Sequence, residues 1–291
     1  MIIEKKFSFK IFIFFINIFI IRFSFSQESI DYSISASLLT ETDQLIIKQK
    51  ISFLNQSELL ENIYLNDWAN SYSSTKSPLA DRLVEEYTRS FYLSAKSKRG
   101  NTLISNIYIN GIKANWKRKQ NNLDIIEINI DKPIKKGIVN IDLSYIVKLP
   151  SSKFTGYGKI KRHQYFIENF FITLSKFVKN KQILNSNLDL EEVPINESKF
   201  SVNLKIDKSL NVFSSLNLKD FKNENGEITY LFESNKIKQM IFLIGDLNIK
   251  ELDLDEKLIN INIESKGFKL ETQKNSIKNI FQFIESIDAI D

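Results

Sequence analysis

Apolar and polar residues alternate with a period of two through most of this 291-residue chain. The alternation is clear in Tyr32–Leu38, in Leu45–Phe53 and again in Ile141–Val147. Successive side chains of a strand point to opposite faces, so this period is typical of strands that bury one face. About seven such segments, joined by turns such as Asn110-Gly111, precede Pro150. The pattern predicts a mainly β fold: an antiparallel β-sandwich, or layered, saddle-like sheets.

One segment, from Asn66 to Phe91, interrupts the alternation. Ser77 suits a helix N-cap, and Pro78 suits the first helical position because its missing N–H has no partner there anyway. The apolar positions that follow recur every four residues: Leu79, Leu83, Tyr87 and Phe91. We therefore predict one helix inserted between strands, over about residues 77–93. A second stripe with helical spacing starts at Asn275 and predicts a C-terminal helix over about residues 275–287.

Two large aromatic residues, Trp68 and Tyr72, lie in the polar segment before the inserted helix. Two interpretations remain open at this point. The segment and its helix either pack across the strands, or they present an aromatic loop to a ligand. The spacing of the residues does not distinguish the two.

The N-terminus has the features of an export signal. Lys5, Lys6 and Lys10 precede the apolar run Ile11–Ile21, and Ser24-Phe25-Ser26 follows it. The run is shorter than the roughly 20 residues that cross a bilayer. We predict a signal peptide over residues 1–26, cleaved before Gln27, and hence an exported protein of the periplasm, cell envelope or medium. An uncleaved membrane anchor is the alternative.

Charge and cysteine content argue against several classes of partner and of reactive group. The formal net charge is +5, and the four cations of the leader against Glu4 account for most of it. The remaining excess is too small and too dispersed to predict a nucleic-acid partner. The chain has no Cys, so it has no disulfide framework, lipoprotein acceptor thiol or thiol nucleophile.

No catalytic residue or metal site is predicted. His163 is the only histidine, so the chain cannot form an H-E-x-x-H zinc helix. The neighbouring Lys161 and Arg162 disfavour the imidazolium that a Ser-His-Asp triad requires. The turn Phe154–Gly158 lacks the G-K-[ST] ending of a phosphate-binding loop. The acidic cluster at Asp189 lacks the ligand spacing of a calcium loop.

Several short motifs together resemble a known family. They are I-Y-L-N-D-W-A-N-S-Y-S (Ile63–Ser73), S-P-L-A-D-R (Ser77–Arg82), Y-I-V-K-L-P with F-T-G-Y-G (Tyr145–Gly158) and M-I-F-L-I-G-D-L (Met240–Leu247). In this order they resemble the N-terminal part of zinc metallopeptidases of the aminopeptidase-N type (gluzincins), in particular a secreted bacterial branch. The resemblance implies an N-terminal β domain over residues 27–250 and the start of a truncated catalytic domain over residues 251–291.

The resemblance also has consequences for function. The family's G-x-M-E-N segment and zinc motif would follow the last residue of this chain, so the chain alone is expected to be inactive and to hold no zinc. The family's N-terminal domain covers the active-site cleft and places a side chain near the substrate's amino end. By position the candidates are Glu168 and Asn169, in a predicted strand over Gln164–Ile172. The expected partners are the missing catalytic domain or a peptide substrate.

A function of another class stays open. The chain would then be a stand-alone secreted β-sandwich binding module that uses the Trp68–Tyr72 loop as an aromatic contact surface.

Overall fold

The computed structural model describes residues 30–178, 181–189, 196–247, 249–254, 257–262, 273–280 and 282. The predicted signal peptide lies outside the described residues. The described part of the chain is mostly strand, which confirms the predicted mainly β class.

The strands and helices are named here in chain order. They are β1 (Ile30–Leu39), β2 (Gln44–Asn55), β3 (Leu60–Asn66), the 3-10 helix η1 (Trp68–Ser73), α1 (Pro78–Glu85), the 3-10 helix η2 (Lys96–Lys98), β4 (Asn101–Ile109), β5 (Ile112–Lys113), β6 (Asn115–Lys119), β7 (Asn122–Ile134), β8 (Gly137–Lys148), β9 (Gly158–Lys161), β10 (Gln164–Glu168), β11 (Thr173–Leu174), β12 (Phe177–Val178), β13 (Lys181–Gln182), β14 (Ser198–Asp207), β15 (Asn211–Ser214), β16 (Asn217–Glu224), β17 (Glu227–Ile237), β18 (Ile241–Gly245), β19 (Ile249–Leu254), β20 (Lys257–Asn262) and α2 (273–280).

These strands form one large sheet and several small ones. Eight strands pair in the order β16-β17-β14-β1-β2-β8-β4-β5. Two four-stranded sheets have the orders β15-β18-β10-β9 and β11-β3-β7-β6, and β12-β13 and β19-β20 are two-stranded. Pairing within the eight-stranded sheet is antiparallel except between β1 and β14, which run parallel from Ile30↔Ser198 onward. The result is the layered, largely antiparallel architecture that the alternation predicts.

The core lies between these sheets. Alternate residues of β1 and β14 are buried, as their period of two predicts. Aromatic rings pack in this core: Tyr32 stacks on Phe200 of the neighbouring strand with ring centroids 4.9 Å apart, and Phe171, which follows β10, meets Phe200 edge-on at 5.2 Å. Buried residues of the eight-stranded and both four-stranded sheets belong to one hydrophobic cluster.

The inserted helix is present but shorter than predicted, since α1 ends at Glu85 rather than near residue 93. Ser77 caps its N-terminus by accepting the Ala80 N–H, as expected. At the other end Tyr87 has a φ of 62°, and the Thr88 N–H donates to the Leu83 carbonyl oxygen. This left-handed residue and 6→1 hydrogen bond form a Schellman ending, which stops the helix.

The predicted C-terminal helix is helical where it is described. Residues 273–280 form α2, and Ile280 is exposed. Residues 283–287 of the predicted helix lie outside the described residues.

The turn predicted at Asn110-Gly111 is confirmed, and a second Asn-Gly pair forms a turn of the same kind. Asn110 and Gly111 have φ values of 49° and 81° between β4 and β5, and Asn225 and Gly226 have 51° and 84° between β16 and β17. Positive φ at both positions matches the right-handed twist of the strands that they join.

Candidate functional site

The four residues singled out from the sequence line one small cavity. Trp68, Tyr72, Glu168 and Asn169 all border it, although they lie about 100 residues apart in the chain. Its volume is about 60 Å³, which is room for a few water-sized groups or the end of a larger ligand. The complete lining is Trp68, Ala69, Tyr72, Thr155, Tyr157, Glu168, Asn169, Asn187 and Asp189.

The aromatic side of the cavity is formed by η1. For this segment the sequence allowed two interpretations, a ligand-facing loop or a segment packed across the strands. Tyr72 is only 3% exposed. Its ring packs against Phe91 and Tyr157, with centroid distances of 5.9 and 5.4 Å, and its hydroxyl lies 2.5 Å from the Thr155 Oγ1. Tyr72 therefore does not offer an exposed contact surface to a macromolecule. Trp68 is half-buried, and within the described residues its buried Nε1 has no hydrogen-bond partner.

A buried polar network fixes η1 in this position. Asp67 accepts hydrogen bonds from the Thr102 hydroxyl (2.8 Å) and the Arg118 Nη2 (2.7 Å), and its carbonyl oxygen accepts the Asn70 N–H (3.0 Å). The Asn70 amide in turn donates to the Leu123 carbonyl oxygen at 2.7 Å. No special role was predicted for Asp67 or Asn70, because polar residues before a helix usually indicate an exposed loop.

The turn Phe154–Gly158 supplies Thr155 and Tyr157. Gly158 has a φ of 112°, and a Cβ there would lie 2.1 Å from the Pro150 carbonyl oxygen, so the close approach requires glycine. Tyr157 is 7% exposed, and its hydroxyl has no hydrogen-bond partner among the described residues. Burial raises the pKa of the Tyr157 hydroxyl well above its usual value, so it stays a neutral donor.

Glu168 and Asn169 lie where β10 ends, not inside the longer strand over Gln164–Ile172 that the sequence predicts. Asn169 has a φ of 43°, and both its N–H and its Oδ1 bond the backbone of Met240, at 3.0 and 3.2 Å. The Asn169 side chain therefore mainly bonds the backbone at the point where β10 ends. Glu168 accepts from the Gln239 and Asn169 amides, and both bonds reach Oε1. Within the described part of the chain, no hydrogen bond reaches the Glu168 Oε2.

A segment over residues 186–189 closes the remaining side. The buried Asp124 accepts the Ser186 hydroxyl (3.0 Å) and the Asn187 N–H (2.7 Å), and the Asn187 amide donates to the Ser71 Oγ (3.0 Å). This clamp places Asn187 and Asp189 at the cavity. Burial, followed by the charges of Glu86 and Glu168, raises the pKa of Asp189.

The cavity is suited to binding a cation. Its lining carries two carboxylates, Glu168 and Asp189, and no Lys, Arg or His. His163 lies in the turn between β9 and β10 and does not border it. Within the described ranges no three or more His, Cys, Asp or Glu side chains cluster so as to hold a metal ion. With one histidine in the sequence, the residues described here do not fit a zinc site.

The described part of the chain contains no helix with the length and apolar character that a membrane crossing requires.

Comparison with known proteins gives matches only among solved structures. No protein-family model and no curated protein matches this chain. The fold is similar to an M1 zinc metallopeptidase from Deinococcus radiodurans (12% identity, TM-score 0.43, covering 86% of this chain and 51% of that one). It is also similar to an aminopeptidase N family protein from Idiomarina loihiensis (13% identity, TM-score 0.48, covering 86% of this chain and 35% of that one). The chain thus spans about half or less of the length of these proteins.

Proposed function

We propose that this chain is the non-catalytic N-terminal β domain of an exported zinc metallopeptidase of the aminopeptidase-N type, and that it forms one wall of the substrate cleft. The observation that carries the proposal is the convergence of Trp68, Tyr72, Glu168 and Asn169 on one cavity. The first two belong to a motif that carries the sequence resemblance. The F-T-G-Y-G turn, a second such motif, contributes Thr155 and Tyr157 to the same lining.

The role of the cavity is to hold the protonated amino terminus of a peptide. The half-buried carboxylate of Glu168 attracts an ammonium group, and its Oε2 accepts no hydrogen bond from the described residues. Tyr157 and Trp68 line the same cavity, and among the described residues the buried Tyr157 hydroxyl and Trp68 indole N–H have no hydrogen-bond partner. The catalytic half of the enzyme would supply zinc and the hydrolytic step. The partner of this chain is accordingly that catalytic domain, and its ligand is a peptide with a free amino terminus.

Export is part of the proposal and is supported by the leader. The cations before Ile11–Ile21 and the small residues after it have the order of a secretory signal. N-terminal sequencing of the protein secreted by its own host tests this. Export with a first residue at Gln27 supports the proposal, and a retained Met1 on a cytoplasmic protein contradicts it.

The binding role is tested with two dipeptides, Ala-Ala and N-acetyl-Ala-Ala, titrated into this chain and followed by isothermal calorimetry. We expect Ala-Ala to bind and the acetylated peptide not to, because acetylation removes the positive charge. Glu168→Gln should weaken Ala-Ala binding at least tenfold. Glu224→Gln, an equivalent change on the exposed strand β16, is the matched control and should leave it unchanged.

Two results would contradict the proposal. Equal binding of both dipeptides would show that the cavity does not recognise an amino terminus. Hydrolysis of Ala-Ala by this chain alone, with added zinc, would show that the chain is not a non-catalytic domain.

A further inference from the structure

We propose that two copies of this chain pair through the outer edge of β16, so that their eight-stranded sheets join into one continuous sheet across a two-fold axis at Phe221. The inference is independent of the cavity and of the proposed function. It rests on the exposure of β16, on the direction of its backbone groups and on the charges that one register brings together.

β16 is the last strand of the eight-stranded sheet. Among the described residues it pairs with β17 on one side and with no strand on the other. All eight of its residues are exposed, including Phe221 at 60% and Leu218 at 52%. An open edge with exposed apolar side chains is a template for a further strand. A bulge between Leu218 and Asp220 limits the regular part to the residues from Asp220 to Glu224, so the pairing is short and the dimer is expected to be weak.

The turn that follows β16 determines which of its backbone groups face the open edge. It has two residues with positive φ, so Glu224 and Glu227 are the hydrogen-bonded pair that closes it. Hydrogen-bonded and non-hydrogen-bonded pairs alternate along antiparallel strands, and this alternation directs the N–H and C=O groups of Phe221 and Asn223 away from β17. The Phe221 N–H donates instead to the Asp220 Oδ1, at 2.8 Å.

Backbone direction and charge together select one register for two antiparallel copies. Residues that face the edge must lie opposite each other, so the two-fold axis passes through a residue of the regular part: Asp220, Phe221 or Lys222. An axis at Asn223 or beyond would pair the strand with the turn. An axis at Asp220 sets that carboxylate against its own copy, and an axis at Lys222 sets two ammonium groups against each other. An axis at Phe221 instead sets Asp220 opposite Lys222 twice.

This register uses the groups that β16 leaves exposed. Phe221 meets its own copy in a hydrogen-bonded pair, so its N–H exchanges the bond to Asp220 for one to the other backbone. The released carboxylate lies opposite Lys222 of the other copy in a non-hydrogen-bonded pair, where side chains are closest. The two Phe221 rings, each 6.2 Å from a Tyr230 ring, cover one another. Opposite charges and aromatic rings at directly opposed positions stabilise antiparallel strands.

Exchange of the charges tests the register. Asp220→Lys alone, or Lys222→Asp alone, sets like charges opposite each other in a homodimer, whereas a mixture of the two variants restores both opposite-charge pairs. In sedimentation equilibrium at up to about 0.5 mM, we expect the wild type to dimerise and each variant to raise the dissociation constant about tenfold or more. The equimolar mixture should dimerise again. Asp142→Lys, at an exposed position of β8, is the matched control and should leave the dissociation constant unchanged.

Cross-linking gives a measurement that does not depend on charge. The sequence has no Cys, so a single introduced cysteine can form a disulfide only with another copy. Opposed residues of a hydrogen-bonded pair have Cα atoms about 5.5 Å apart, which a disulfide can span. Under mild oxidation Phe221→Cys should therefore form a linked dimer faster than Asp220→Cys or Lys222→Cys. All three positions are exposed, so we expect the variants to fold, and an unchanged thermal midpoint verifies this.

The results that would overturn the proposal are distinct. A wild type that stays monomeric over this range, together with no more linked dimer from Phe221→Cys than from Asp142→Cys, shows that β16 does not pair. Dimerisation that neither Asp220→Lys nor Lys222→Asp weakens shows that the copies meet elsewhere. Faster linkage through Asp220→Cys or Lys222→Cys overturns the register.

Discussion

At the scale of single residues, a buried ion pair holds the aromatic wall of the cavity. Asp67 is 1% exposed, and the Arg118 Nη2 lies 2.7 Å from its Oδ2. Removing one partner of such a pair leaves an uncompensated charge in the interior. We expect Arg118→Met to lower the free energy of unfolding by about 3–5 kcal/mol in urea denaturation.

A neighbouring pair is the control for this prediction. Lys117 pairs with Glu127 at 3.4 Å, but its ammonium group is mostly exposed. Lys117→Met should therefore cost less than about 1 kcal/mol. Similar losses in the two variants would mean that the Asp67–Arg118 pair contributes no more than a surface pair.

Two glycines of one turn differ in what surrounds them. A Cβ at Gly158 would lie 2.1 Å from the Pro150 carbonyl oxygen, while a Cβ at Gly156 would meet nothing within 4 Å. Both have positive φ, so the comparison separates steric overlap from backbone strain. We expect Gly156→Ala to cost about 1 kcal/mol and Gly158→Ala at least twice as much, in the free energy of unfolding. If both substitutions lower the free energy of unfolding equally, the loss comes from the backbone conformation alone and not from steric overlap.

Asp189 gives the cavity a pH dependence. Burial and the charges of Glu86 and Glu168 raise its pKa above the ordinary aspartate value of about 3.9. Only the ionised form attracts a cation, so Ala-Ala binding should strengthen as pH rises through a window above that value. Calorimetric titrations between pH 4 and 7 should show this increase in the wild type and a smaller one in Asp189→Asn. If Asp189→Asn has the same pH dependence of binding as the wild type, Asp189 is not the group that causes it.

At the scale of elements, the end of α1 depends on one residue in an unfavourable conformation. Tyr87 has a φ of 62° and is 91% exposed, so its ring has little packing to lose. Glycine adopts this conformation without strain, although it also gives the unfolded chain more freedom. We expect Tyr87→Gly to stabilise the protein by about 0.5–1 kcal/mol in urea denaturation. Tyr92 does not have a positive φ, so Tyr92→Gly should destabilise the protein. If both variants change the free energy of unfolding in the same direction, the explanation is contradicted.

The sequence predicted the start of α1 but not its end, for a physical reason. The signals of Ser77 and Pro78 are local, because a cap bonds backbone groups within one turn. The end of α1, in contrast, depends on contacts with residues that are distant in the sequence. Phe91 continues the four-residue spacing, yet it is buried by contacts with Tyr72 and Phe154, at ring-centroid distances of 5.9 and 5.0 Å. Spacing alone therefore could not show that the chain leaves the helix before reaching it.

Strand β16 was missed for a related reason. All eight of its residues are exposed, so neither face shows the alternation by which the other strands were recognised. It forms because β17 offers it a hydrogen-bonding edge, from Asn217↔Glu233 to Glu224↔Glu227. The partner strand, rather than its own sequence, decides its conformation.

Four residues of the cavity were named from the sequence, but the cavity itself was not predicted. Trp68, Tyr72, Glu168 and Asn169 were singled out from composition and from the resemblance, and the fold brings them together. Asn187 was not, because its position depends on the Asp124 clamp between segments some 60 residues apart. Side chains that meet only through tertiary pairing leave no periodic signal in the sequence.

At the scale of the whole molecule, one parallel strand pair, β1 with β14, joins the two halves of the eight-stranded sheet. β1 lies between β2 and β14, so the strands that follow Ser198 continue the sheet begun at Ile30. Alternation can identify a strand such as β1 or β14 but says nothing about its partner, which is why this pairing could not be predicted from the sequence. Folding of the described sheets should depend on side chains at this junction.

Phe200 on β14 is such a side chain, and Phe221 on β16 is its matched control. Phe200 is fully buried against Tyr32 and Phe171, whereas Phe221 is 60% exposed at the edge of the same sheet. Replacing a buried phenylalanine with alanine removes its contacts and leaves a cavity, so Phe200→Ala should lower the free energy of unfolding by about 3–5 kcal/mol. Phe221→Ala removes the same atoms but should cost less than about 1 kcal/mol. Urea denaturation followed by tryptophan fluorescence and by circular dichroism should give coincident transitions for both variants, because β14 ties the sheet into one cooperative unit. Separate transitions in Phe200→Ala would instead show that the strands on the two sides of β14 unfold independently.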